Sequence, residues 1–88
     1  AIYTHIADAY FKSGEYKKVI EVAIKGLEIE EIPELYNLLG RAYYKLKDYF
    51  NAMEAFLRAT ELNPASAIDY ANVGYCLKAI NQLPTAEI

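Results

Sequence analysis

Shifted by 33 residues, the chain lies over itself. Tyr3 falls on Tyr36, Ala9 on Ala42, Tyr10 on Tyr43 and Lys12 on Lys45, and further along Tyr16 falls on Tyr49, Glu21 on Glu54 and Glu28 on Glu61. A shift of 34 carries Tyr36 onto Tyr70, Gly40 onto Gly74 and Ala52 onto Ala86. A period of this length signals stacked supersecondary units, none of which can bury its apolar face alone. The units run 1–32, 33–66 and 67–88, the last half finished, and are expected to form one domain over 1–88. The chain starts at Ala1 rather than Met and stops at Ile88 within an apolar pattern, so both ends are expected to be cut from something longer.

Each unit reads as two helices. In the second, Leu35, Tyr36, Leu39, Ala42, Tyr43 and Leu46 recur at steps of three and four, the spacing of one helix face. Lys47-Asp48 interrupts the pattern, and Asp48 is suited to cap the next helix. Phe50, Met53, Phe56, Leu57 and Leu62 then mark a second helix, which Asn63-Pro64 ends because proline cannot continue it. Ser66 and Asp69 have capping-box spacing. Ser13-Gly14 divides the first unit, Pro33 opens the second, and Asn81-Gln82 breaks the third before Pro84. The expected helices are about 1–13, 15–30, 34–46, 49–62, 67–80 and 84 onward, with no alternating strand pattern.

The second unit resembles the tetratricopeptide repeat. That motif asks for an aromatic, Leu-Gly, Tyr, Ala, an aromatic, Ala and Pro at fixed offsets, met here by Tyr36, Leu39-Gly40, Tyr43, Ala52, Phe56, Ala59 and Pro64, with Tyr36 where Trp is usual. The first unit is looser: Tyr3, Ile6-Ala7 and Tyr10 fit, but Val19, Ala23 and Gly26 replace Ala, Phe and Ala. The third keeps Tyr70, Val73-Gly74 and Ala86, with Leu77 for the tyrosine. Small residues at Gly40 and Ala52 suit a close helix crossing, with Tyr43, Phe56 and Leu62 filling the space around it. The resemblance implies an all-α fold of antiparallel helix-turn-helix repeats stacked as a right-handed α-solenoid. It also implies a protein–protein recognition role, as scaffold or adaptor, through the concave face.

A helical wheel sorts that face. In the second unit Tyr36, Leu39, Gly40 and Tyr43 share the packing side, leaving Asn37, Leu38, Arg41, Tyr44 and Lys45 on the inner side. The equivalent positions are Thr4, His5, Asp8, Phe11 and Lys12 in the first unit, and Ala71, Asn72, Tyr75 and Lys78 in the third. Phe11, Tyr44 and Tyr75 are expected in the open groove because Tyr10, Tyr43 and Leu77 already fill the packing places. Aromatic shelves and asparagine amides suit an extended or helical segment of another protein. Arg41, Lys12, Lys45 and Lys78 bias this set positive, so the expected ligand carries Asp or Glu beside apolar residues. Some family members hold the carboxyl-terminal tails of chaperones in a clamp of Lys, Asn, Asn, Lys and Arg. By register those places fall on Thr4, Asp8, Leu38, Ile68 and Asn72, none of them basic, which argues against that activity.

Composition narrows the alternatives. A net charge of −3 and the absence of a basic stripe disfavour a nucleic-acid partner. Apolar runs fall far short of the ~20 residues a membrane span needs, so no membrane partner is expected. Cys76 is alone, which excludes an internal disulfide and fits a reducing, cytoplasmic setting. His5 lacks the Cys or His neighbours of a metal site, and Gly14, Gly26, Gly40 and Gly74 are too scattered to cradle a phosphate. Asp8 and Glu34 come from different helices with no apolar pocket in evidence, so an acid–base pair is not expected. Neither an enzyme nor a cofactor is therefore expected. The rival expectation is self-assembly, with an end-to-end dimer forming where a truncated final helix leaves Val73, Leu77 and Ile80 uncovered.

Overall fold

A computed structural model describes residues 2–82. Its helices, in chain order, are α1 (Ile2–Lys12), α2 (Tyr16–Ile29), α3 (Pro33–Lys45), α4 (Tyr49–Leu62) and α5 (Ala67–Asn81). No strand occurs among the described residues. The helix expected from Pro84 lies outside them. Each helix packs on the next in sequence, and α1 also packs on α3. Short turns between sequential neighbours make antiparallel pairs, and contact between the first helices of two pairs stacks them as a helical repeat.

Small residues govern how close the helices come. Ala7, Ala23, Ala42 and Ala55 are buried around Val19, Leu35, Leu38 and Leu39 in one cluster joining α1 to α4. A second cluster of Ala52, Phe56 and Cys76 joins α4 to α5. Gly40 forms the seat for Phe56: a Cβ there would stand 2.8 Å from the ring. That is the close crossing its place in the motif implied, and burying the ring contributes about 2–3 kcal/mol. Cys76 is wholly buried. Its burial pushes the thiol pKa up, which suits a packing residue and not a nucleophile.

Helix ends follow local chemistry. Pro33 is the first residue of α3, one earlier than expected, because proline's missing N–H costs nothing there. The Asp48 carboxylate accepts from the Asn51 backbone N–H at 3.5 Å and from the Asn51 amide at 2.7 Å, capping α4. Ser66 caps α5 by accepting from the Asp69 N–H at 3.4 Å. The expected capping box is only half made. The Asp69 carboxylate turns away to accept from Asn37 at 2.7 Å, and the Ser66 N–H finds the Asn63 carbonyl instead. On the outer side, the Tyr36 hydroxyl donates to Glu31, which also accepts from Arg58 at 2.7 Å. The hydroxyl gives Tyr36 a hydrogen bond that ties α3 to the α2–α3 turn.

The turns closing α1 and α3 are built alike. Gly14 and Lys47 both hold positive φ, 83° and 66°. The residues after them, Glu15 and Asp48, donate back to the carbonyls of Tyr10 and Tyr43. This is the left-handed helix ending that glycine suits and a residue with Cβ does not. Lys47→Gly is therefore expected to stabilise the chain by about 1 kcal/mol. Urea unfolding would show this as a raised midpoint with an unchanged slope.

Candidate functional site

The first helices of the pairs enclose a groove of about 660 Å3. Thr4 and Asp8 of α1, and Pro33, Glu34, Asn37, Leu38 and Arg41 of α3, form one part of its lining. Asn63 and Ser66 of the α4–α5 turn, with Ile68, Asp69 and Asn72 of α5, form the other. Arg41 and Asn72 also line an adjoining pocket of about 120 Å3, whose remaining walls are Tyr44, Phe56 and Tyr75. The two spaces are continuous in chemistry. A larger trough of mixed polar and apolar lining leads to a small aromatic recess, with a guanidinium and an amide shared by both.

Of the inner positions of the helical wheel, Thr4, Asp8, Asn37, Leu38, Arg41, Tyr44, Asn72 and Tyr75 line these spaces. His5, Phe11, Lys12, Lys45 and Lys78 line neither. Phe11, expected in the open, is half-buried against the core. The α1–α2 turn tucks Tyr16 edge-on to its ring at 5.3 Å between centroids. The Arg41 guanidinium lies over the same ring, 4.4 Å from the Phe11 centroid. Phe11 is thus a platform that holds Arg41. Tyr44 makes the matching edge-on contact with Tyr49 at 5.1 Å but stays 36% exposed, and Tyr75 is 61% exposed. Leu38 is buried and forms floor rather than rim. The Asn37 amide is already committed to Asp69.

The expected positive bias does not hold for the groove lining. Lys12, Lys45 and Lys78 stand in the last turns of α1, α3 and α5, where a cation complements the helix dipole. Lys12 also pairs with Asp8 at 3.1 Å, an exposed i,i+4 contact worth about 0.3–0.5 kcal/mol and screened by salt. The lining itself carries Asp8, Glu34 and Asp69 against Arg41 alone. Glu34 and Asp69 fall outside the inner set of the wheel. By spacing alone Glu34 belongs to a solvated acidic stretch and Asp69 is only a cap.

Among the described residues, no group of three His, Cys, Asp or Glu side chains is placed to hold a metal ion. No helix there is long and apolar enough to cross a membrane. The five positions of the chaperone-tail clamp, Thr4, Asp8, Leu38, Ile68 and Asn72, all line the one groove, so the register locates the place while the residues withhold the charge.

Comparison with known proteins agrees with this architecture. Tetratricopeptide repeat family profiles match residues 1–32 and 33–66. The chain is 33% identical over 64 residues to tetratricopeptide repeat protein 12 of Mus musculus, covering 72% of the chain and 9% of that protein. It is 28% identical over 87 residues to heat shock protein STI1 of Saccharomyces cerevisiae, covering 97% of the chain and 15% of that protein. The chain therefore spans a small fraction of each relative. With two adjoining family matches over stacked helix pairs, a glycine seat at the motif's small position and a groove along the first helices, the chain belongs to the tetratricopeptide repeat family.

Proposed function

We propose that this protein-interaction module holds a segment of a partner protein along the groove of α1, α3 and α5, and that it performs no catalysis. The observation that carries the reading is the meeting of trough and recess at Arg41 and Asn72. A segment laid there places one apolar side chain against Tyr44, Phe56 and Tyr75, where desolvation is worth most. Its backbone pairs with the Asn72 amide. A carboxylate beside the apolar residue finds Arg41, already oriented by Phe11. The other carboxylates of the lining disfavour a uniformly acidic ligand, so one acidic residue flanked by neutral ones suits the site best.

The test is a peptide library screened against the chain, with hits measured by fluorescence anisotropy. Arg41→Glu with Tyr75→Ala is expected to remove about 2 kcal/mol or more, at least roughly 30-fold in Kd. Tyr75 is chosen over Tyr44 because it makes no aromatic stack that the fold needs. Hits that bind the double variant unchanged would reject the groove.

Self-association is a second reading with one observation behind it. Tyr70 and Leu77 of α5, in register with Tyr36 and Tyr43 of α3, are half exposed. A Cβ at Gly74 would meet nothing, whereas one at Gly40 meets Phe56. A helix of a second copy could cover that face. Light scattering that stays monomeric across a concentration series rejects it.

A further inference from the structure

The net charge of −3 conceals two edges of opposite sign. Where the α1–α2 and α3–α4 turns meet, Lys12, Lys17, Lys18, Lys45 and Lys47 are all exposed. The acids among them are Asp8, which pairs with Lys12 at 3.1 Å, Glu15, which accepts from the Ser13 hydroxyl, and Asp48, which caps α4. At the other edge stand Glu28, Glu30, Glu31, Glu34 and Glu61, with Arg58 bound to two of them. The basic edge also has shape. A notch of about 360 Å3 runs between its two turns, with Tyr16 and Leu46 as its apolar surface, Lys17, Lys18 and a single acid, Glu15, also lining it, and Lys47 next in sequence to Leu46. Leu46 is 40% exposed there.

Stability does not explain Lys17 and Lys47, whereas Lys18 is held over the Tyr10 ring at 5.9 Å from its centroid. Lys17 and Lys18 occupy the first turn of α2, which holds no acidic residue. A cation there opposes the helix dipole by about 0.3–1 kcal/mol. Lys47 occupies a left-handed position where the matching residue of the first pair is Gly14. At Lys17 and Lys47 the charge runs against local preference, which points to a role beyond folding.

We propose that this notch is a second docking site, separate from the groove, for an acidic segment of a partner protein. One apolar side chain of the segment enters between Tyr16 and Leu46, and its neighbouring carboxylates meet Lys17, Lys18 and Lys47. Charge complementarity selects the occupant. The edge is all lysine with no arginine, so it offers point charges rather than the planar fork that grips phosphate in two places.

The experiment uses a fluorescein-labelled eight-residue peptide with one leucine among glutamates, titrated by anisotropy and by amide chemical shifts. Saturable shifts are expected at Gly14, Lys17, Lys18, Leu46 and Lys47. Binding should weaken at least about tenfold in the Lys17→Gln, Lys18→Gln, Lys47→Gly variant, and also when the peptide's leucine becomes serine. Lys17→Gln and Lys47→Gly each remove a local penalty and Lys18→Gln gives up only an exposed contact with Tyr10, so the variant keeps its fold and its loss of binding is not unfolding. Arg41→Glu should leave this binding unchanged, which separates it from the groove. Shifts centred on Asn37, Arg41 and Asn72, or affinity indifferent to the triple substitution, would overturn the proposal. So would preferential binding of phosphatidylserine vesicles or of a DNA duplex, which would assign the edge to lipid or nucleic acid.

Discussion

Phe56→Ala is expected to remove about 4 kcal/mol of stability, the largest single-residue effect in the chain. Phe56 is 2% exposed and carries no polar atom, so its whole contribution is packing. Its ring covers Gly40 of α3 and clusters with Ala52 of α4 and Cys76 of α5, joining three helices. The cavity left behind would be floored by a glycine and an alanine, which have no side chain to swing inward, so relaxation is limited. Against a total of about 5–15 kcal/mol for an ordinary domain, that loss leaves a marginal fold. Chemical denaturation measures it directly. A loss under about 1.5 kcal/mol would mean that α3 and α4 close over the gap and that the crossing does not depend on the ring.

The second large effect belongs to a residue that departs from the motif. Gly26 stands where the second repeat has Ala59. Gly26→Val is expected to cost about 3 kcal/mol. A Cβ at Gly26 would lie 2.7 Å from a Leu35 methyl and 2.8 Å from the Tyr3 Cβ. The methyl ends a flexible side chain and can yield, but the Tyr3 Cβ is fixed to the backbone of α1. Helix propensity runs the other way, favouring alanine over glycine by about 1 kcal/mol. At Gly26 the clash wins. At Gly74, where a Cβ meets nothing, propensity wins, and Gly74→Ala is expected to stabilise by up to about 1 kcal/mol. Opposite signs for the two substitutions in one urea series are the expected result. A stable Gly26→Val protein would show that α1 does not sit where its contact with α2 and α3 requires.

These two residues also mark how far the sequence can be read. The period and the three- and four-residue spacings carry the helices, and α4 runs over Tyr49–Leu62 as expected. Gly40 is legible because its motif place implies a close crossing. Gly26 is not, because its neighbours Tyr3 and Leu35 lie on other helices and only the packing brings them together. The groove divides the same way. A wheel can sort inner from outer positions on one helix, which is why Arg41, Asn72 and Tyr75 are among the inner positions and line these spaces. It cannot give the offset between neighbouring helices. That offset sets Asn37 against Asp69 and Arg41 over Phe11, and it moves the lysines out of the groove lining. The edge-on pairs Phe11–Tyr16 and Tyr44–Tyr49 have a signal, since Tyr16 falls on Tyr49 in the 33-residue shift. Net charge, being a sum, holds no trace of the two opposed edges.

Whether the groove along the first helices holds the partner segment is tested most directly by photo-crosslinking. A benzophenone side chain is placed in turn at Asn72, in the groove, and at Leu57, exposed on α4. Each protein is then irradiated with the tightest peptide from the library. A covalent adduct is expected from position 72, lost when Arg41→Glu is added, and none from position 57. Adducts from position 57 with none from position 72 would contradict binding in the groove.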